Sequence, residues 1–305
     1  ENCEQFRTKI LDKLNELKAL HPSHAGARLT QSQAFSTPDL WEFLAHQKVV
    51  QALREILEHE YTIIPNFCAN KNYFGGSQPT IAKIPIPNRY GWHADAGGEP
   101  FTPDHVAPDY RVIKCGLYLQ DNDPEFGGGI DVVPGSHNLF FRTGMNRLDG
   151  KARLFKGKLG IIFNNKTVPI KKGDAVIFDS FLLHASTNPK RMFKNLTENE
   201  KKTNYFSSIP LQNTKLTMYF DACRSRFASP FMNVAVQRAK KELESANHER
   251  TNNNLGFCDQ ISFLFESNYP KEFLEKIKKQ GLKFALLEDM DLEEARRVYQ
   301  SYKAL

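Results

Sequence analysis

The sequence predicts a β core of sandwich or jelly-roll type flanked by helices, and three observations predict it. Apolar residues recur at helical spacing near the start. A long middle section breaks into short β-branched or aromatic runs separated by turn residues. Helical spacing then returns near the end. In EQFRTKILDKLNELKAL, Phe6, Ile10, Leu14 and Leu17 recur every three to four residues, which predicts a first helix. Ser36-Thr37-Pro38-Asp39 is a cap-and-proline start and predicts a second helix running to about His59. YTIIPNF, PTIAKIPI, VIKCGLYLQ, GIDVV, GIIF, VPIK, DAVIFD and KLTMYF read as strands. AVQRAKKELESA, PKEFLEKIKKQGLKFALL and DLEEARRVYQSYKA read as helices, with the polar loop NHERTNNN before the last two. The layout predicts one domain over 1–305: helices over 1–59, a β core over 60–229 and a helical extension over 230–305.

Composition narrows the function classes. The chain has 305 residues, enough for a buried core, with 40% apolar and 25% charged residues. No apolar run approaches the ~20 residues that a membrane span needs. The longest, AVIFDSFLLHA, is interrupted by Asp179. The C-terminal PKEFLEKIKKQGLKFALL mixes Glu and Lys and reads as a solvated helix more than as a membrane or partner face. Five scattered cysteines without a CxxC pair read as free thiols of a reducing, cytoplasmic compartment. The opening ENCEQF lacks a methionine and reads as a trimmed N-terminus, so targeting is illegible there. Net charge is 41 − 35 = +6. Between Arg142 and Lys172 nine basic residues stand against one acid, Asp149. That stretch is either a solvated surface or a rim that draws in an anionic substrate. No zinc finger or RNP-like motif accompanies it, so no nucleic-acid partner is expected.

The chemistry starts at RYGWHADAGGEP, residues 89–100. On a strand, side chains alternate, so His93 and Asp95 face the same way with Ala94 turned away. An imidazole nitrogen and a carboxylate oxygen then reach one ion. Alone, such a pair is more often structural. Two later features add to it: GGGIDVVPGSH at 127–137, a tight bend between strands, and GDAVIFDSFLLHASTNP at 173–189, in which a turn and a strand are followed by a run with His184 near its end.

WHAD (92–95), GLYLQDNDPEFGGGIDVVPGSH (116–137) and FDSFLLHASTN (178–188) together resemble the phytanoyl-CoA dioxygenase-like group of iron(II)- and 2-oxoglutarate-dependent oxygenases. The resemblance covers roughly residues 60–222 and implies a double-stranded β-helix core. It implies that His93, Asp95 and His184 form a two-histidine, one-carboxylate triad that binds Fe(II) and leaves three open positions. 2-Oxoglutarate takes two of these and O2 the third. Oxidative decarboxylation then yields succinate, CO2 and an oxidant for a substrate C–H bond. Halogenating relatives carry a small residue where Asp95 stands, so the carboxylate favours hydroxylation. In the family the position of His137 belongs to the bend, and His105 reads as a loop residue. His21, His24, His46, His59 and His248 fall in predicted helices or polar loops.

The far carboxylate of 2-oxoglutarate needs a cation. The family places an arginine about ten residues after the second histidine, and this chain departs from that pattern. Arg191 follows His184 by seven residues, and the next arginine is Arg224. Residues 194–213 read as an insertion, which brings Lys215 on the following strand to the cation position, with Arg191 as the second candidate. Ser186 fits the family's H-x-S pattern and can bond the same carboxylate. Tyr90, Trp92, Tyr118 and Gln120 are candidates for the substrate pocket, and the expected substrate is a small or medium-sized anionic metabolite. A zinc hydrolase using the same three ligands and a non-catalytic β-barrel binding protein are the competing readings.

Overall fold

The structure is a computed structural model that describes residues 3–20, 28–58, 60–71, 92–95, 109–123, 125–138, 164–187, 211–249, 256–286 and 293–303. The segments read as strands at PTIAKIPI and GIIF lie outside the described residues, as do Tyr90, Arg191, His105 and most of the basic stretch. The chain divides into two compact units. One comprises Glu1–Arg7, Asn70–Pro108 and Leu117–Thr217, and the other Thr8–Ala69, Asp109–Gly116 and Met218–Leu305.

Helix α1 (Cys3–Leu20) buries the stripe that its sequence predicts: Phe6, Ile10, Leu14 and Leu17 are all buried. The second predicted helix, from Ser36 to about His59, is instead a 3-10 turn over Leu40–Phe43 followed by helix α3 (Gln47–Leu57), and an unforeseen helix α2 (Gln31–Ser36) precedes it and ends at Thr37. Pro38 is the reason, because it pushes the residue before it out of the helical region. Thr37 accordingly sits at φ −87°, ψ 117°. Asp39 is left-handed at φ 67°, so the cap-and-proline signal marks a break between helices.

The second unit holds β1 (Arg28–Leu29), most of β2 (Tyr61–Lys71), most of β8 (Leu216–Arg224) and most of β3 (Val112–Tyr118), neighbours in that order. It also holds α4 (Ala228–Glu249), α5 (Gly256–Ser262), α6 (Lys271–Lys279) and α7 (Glu293–Lys303). Strand β9 (Lys283–Phe284) adds to β2 in parallel. Here the sequence expectation fails again, since KFALL does not continue α6. Gly281 at φ 63° takes the left-handed position, Leu282 N donates to Ile277 O and Gly281 N to Lys278 O. That pair of bonds is the Schellman stop, which glycine supports without steric cost. Helix α5 was not foreseen; Glu242 of α4 accepts from the Phe257 and Cys258 amides at its start, and burial pushes the Glu242 carboxyl up.

Rings consolidate this unit. Phe273 is fully buried, its centroid 4.9 Å from Phe35, 5.1 Å from Phe284 and 5.4 Å from Trp41.

The first unit contains a three-stranded antiparallel sheet in the order β5 (Lys166–Thr167), β4 (Ile130–Val132), β7 (His184–Ser186). The predicted strand at VPIK is displaced: pairing occurs at Lys166–Thr167, while Ile170 packs into the core. Beside the end of β3, β6 (Ala175–Asp179) follows a turn at Gly173, whose φ is 92°. Tyr118, Ile130, Ile170 and Phe178 form the core, with Val132, Val168, Val176 and Leu182 against it. No described helix is long and apolar enough to cross a membrane, and none of the five cysteines is in a disulfide.

Phe273→Ala should cost ~3–5 kcal/mol, the range for emptying a packed aromatic site. The urea unfolding midpoint measures it, and a loss below ~1 kcal/mol would show that the rings do not act as a packed set.

Candidate metal centre

Two backbone hydrogen bonds create the site. His93 N donates to His184 O at 2.9 Å, and His184 N returns the bond to His93 O at 2.9 Å. Residues that exchange both bonds stand directly opposite each other, with side chains on one face. The ring centroids accordingly lie 4.4 Å apart. Asp95, two residues further on, joins them: its Oδ1 is 3.4 Å from His93 Nε2 and its Oδ2 3.8 Å from His184 Nε2. Both spacings are below about 4.2 Å, the most that two donors can be apart when each is ~2.1 Å from a shared ion. One donor atom from each of the three residues falls within 4.8 Å of the others. Among the described residues, this is the only His/Cys/Asp/Glu group with metal-binding spacing.

His184 is the rigid member. Strand β7 pairs with β4 on its other edge, placing His184 opposite Val132. The imidazole packs on Phe178 at 4.7 Å, and its Nδ1 lies 2.8 Å from Leu182 O. A carbonyl only accepts, so Nδ1 carries the proton, and in the neutral ring Nε2 turns a lone pair toward Asp95. Two nitrogen lone pairs and a carboxylate converging on one point suit a first-row divalent cation, and the side away from them can take further ligands. His93 is 48% exposed and His184 only 8%, so the group is closed behind and open in front.

The PGSH bend serves the site through its serine. Leu183 N donates to Ser136 Oγ at 2.8 Å, and Val133 N donates to Leu183 O at 2.9 Å. The residue before the ligand is thereby held on both sides. Gly135 at φ 79° makes the bend, while His137 stands outside the metal-spaced group. Ser136 and Phe178 are the positioning residues that sequence reasoning missed. Their signal was present, since both lie inside the motifs at 127–137 and 173–189.

A cation stands on the same face. Ser186 is two residues after His184 on β7, and Lys215 Nζ donates to its Oγ at 2.5 Å. Lys215 is only 2% exposed, and burial pushes its ammonium down to about 7, opposed by the Asp131 carboxylate. Asp131 is buried too and accepts from Thr167 Oγ1 and Thr187 Oγ1 at 2.7 and 2.8 Å.

Of the remaining candidates, Trp92 is half-buried beside His93. Tyr118 is fully buried in the core. Gln120 is buried with its amide engaged at both ends, accepting from Leu216 N at 2.6 Å and donating to Gly128 O at 2.9 Å.

Ser136→Ala should weaken Fe(II) affinity about 10- to 100-fold, as loss of a ligand's support usually does. Anaerobic metal titration reads this, and an unchanged isotherm would show that the bend does not hold His184.

The profile of the phytanoyl-CoA dioxygenase (PhyH) family matches residues 12–191. No curated protein matches the sequence. Among solved structures, the chain is similar to EctD from S. alaskensis with bound Fe, at 16% identity and TM-score 0.43, covering 73% of this chain and 68% of that one. It is also similar to apo HygX from Streptomyces hygroscopicus, at 15% identity and TM-score 0.44, covering 73% and 78%. A third is the nickel complex of the non-heme monooxygenase ThoJ, at 13% identity and TM-score 0.42, covering 73% and 69%.

Proposed function

Since the chain belongs to the phytanoyl-CoA dioxygenase family of iron(II)- and 2-oxoglutarate-dependent oxygenases, we propose that it hydroxylates a small or medium-sized anionic metabolite at the His93, Asp95, His184 centre. The observation that carries this reading is the convergence of those three donor atoms within 4.8 Å. Bound there, Fe(II) supplies the coupling between oxidative decarboxylation of 2-oxoglutarate by O2 and oxidation of a substrate C–H bond. The core over residues 60–229 is read as the family's double-stranded β-helix, within one oxygenase domain over 1–305.

The chain's own residues do the rest. His93, Asp95 and His184 would hold the iron. Lys215 and Ser186 hold the far carboxylate of 2-oxoglutarate: the ammonium rests on Ser186 Oγ, and a carboxylate beside the pair gains a charge-assisted bond from Lys215 and a hydroxyl bond from Ser186. Arg191 is the alternative cation. Asp95 fills the place that a halide would need, which favours hydroxylation over halogenation. The front, open at His93, is the side for substrate, with Tyr90 and Trp92 adjacent in sequence. The basic stretch over Arg142–Lys172 supports an anionic substrate, and the free cysteines support a reducing, cytoplasmic location.

Anaerobic Fe(II) with 2-oxoglutarate should give the weak visible charge-transfer band of the chelate in wild type and none in His93→Ala. Absence of the band, with zinc in the purified protein, would overturn the reading in favour of hydrolysis. The anchor has its own signature in pH. Only the ammonium form of Lys215 attracts a carboxylate, and half of it is lost by a pH of about 7. KM for 2-oxoglutarate should therefore be flat below that pH and rise above it, approaching about tenfold per unit. Lys215→Arg, which stays protonated, should abolish the rise. A wild-type KM that stays flat through pH ~9 would remove Lys215 from the anchor role.

A further inference from the structure

We infer that Arg7 and Gln120 are positioning residues of the anion site, fixing the backbone that aims the Lys215 ammonium at Ser186. This rests on the reading of Lys215 as the cosubstrate's anchor. Lysine is a point charge on four rotatable bonds, whereas an arginine grips a carboxylate at two points and orients it unaided. A lysine anchor thus depends on where its own backbone and its hydroxyl partner are held.

Both are held, by connected bonds. Strand β8 begins only at Leu216, so Lys215 lies just before it. On one side, Arg7 Nη1 donates to Thr214 O at 3.3 Å and to Leu119 O at 2.9 Å. On the other, Leu216 N donates to Gln120 Oε1 at 2.6 Å, and Leu119 N donates to Leu216 O at 3.0 Å. The residues before and after Lys215 are each fixed by a buried side chain, Arg7 at 5% and Gln120 at 2% exposure.

The same glutamine reaches the serine's strand. Gln120 Nε2 donates to Gly128 O at 2.9 Å, Gly128 N donates to Thr187 O at 3.1 Å, and Thr187 N donates to Gly129 O at 3.0 Å. Thr187 follows Ser186 directly. Gly128 makes the link at φ 98°, where a Cβ would be strained and would lie 3.6 Å from Gln120 Cγ. Gln120 therefore ties the neighbour of Lys215 to the neighbour of Ser186. Arg7 and Lys215 both lie outside the family-matched residues 12–191.

The test uses the Fe(II)-loaded full chain and measures 2-oxoglutarate-dependent succinate release in Gln120→Glu, Arg7→Met, Arg7→Lys and Lys215→Met. Glutamate keeps the acceptor for Leu216 N and loses the donor to Gly128 O. We expect KM for 2-oxoglutarate to rise about tenfold in Gln120→Glu and Arg7→Met, with kcat within about twofold and Fe(II) affinity unchanged. Arg7→Lys, which keeps a cationic donor, should recover part of the loss and guards against a misfolded Arg7→Met. In the Lys215→Met background neither substitution should raise KM further, because both act through that lysine. An unchanged KM, a rise that persists in the Lys215→Met background, or kcat and Fe(II) affinity falling together with thermal stability would each overturn the inference. If Lys215→Met alone leaves KM unchanged, the anchor reading fails and this inference falls with it. If Lys215→Met raises KM while the Arg7 and Gln120 variants do not, only the inference fails.

Discussion

The paired hydrogen bonds between His93 and His184 are the constraint on which the site depends. They set two residues that are 91 apart in sequence opposite each other. Ser186 lies two residues from His184 on β7 and so faces the same side, while Asp95 is brought to the two rings by the turn that follows His93. The His93, Asp95, His184 group and the hydroxyl on which Lys215 rests thus come from two short stretches of chain. A one-residue slip of β7 would turn His184 and Ser186 to the opposite face. The bonds around Leu183 and the packing of Phe178 on the His184 ring oppose such a slip, which explains why the bend and the strand before the ligand are built with so little slack.

Burial then sorts the charges. His184, Lys215 and Asp131 are withdrawn from solvent, while His93 remains open. A buried ammonium is costly unless a charge answers it, and the Asp131 carboxylate does so for Lys215. The serine and threonine hydroxyls around Lys215 and Asp131 spread this cost over short neutral donors and acceptors. The second unit relies on other physics: edge-to-face rings around Phe273 and helix ends closed by Glu242 and Gly281. These features place no chemistry, and they stabilise the unit by packing.

Much of this was legible beforehand, and the reasons are local. The stripe of Phe6, Ile10, Leu14 and Leu17 announced α1, because helical periodicity is written in neighbouring residues. The β-branched runs at 61–67, 112–120 and 174–179 announced β2, β3 and β6 in the same way. The two-residue spacing of His93 and Asp95 was legible as a pair, whereas the turn at Asp95 that brings the two side chains together was not. The errors were also local conflicts: Pro38 and Gly281 each sit in helical texture and each break it, because a fixed φ or a left-handed turn overrides periodicity.

Sequence by itself determined the residue types of the metal centre, its family motifs and the alternation of helical and extended texture, since all of these are properties of short windows. Only the tertiary structure decided the rest. It showed that Ser136, not His137, meets the ligand strand, that Gln120 spends both ends of its amide on backbone, and that Arg7 reaches Thr214 across 207 positions. Such contacts depend on which backbone groups strand register leaves without a partner. A buried carbonyl or amide must find one wherever the fold provides it.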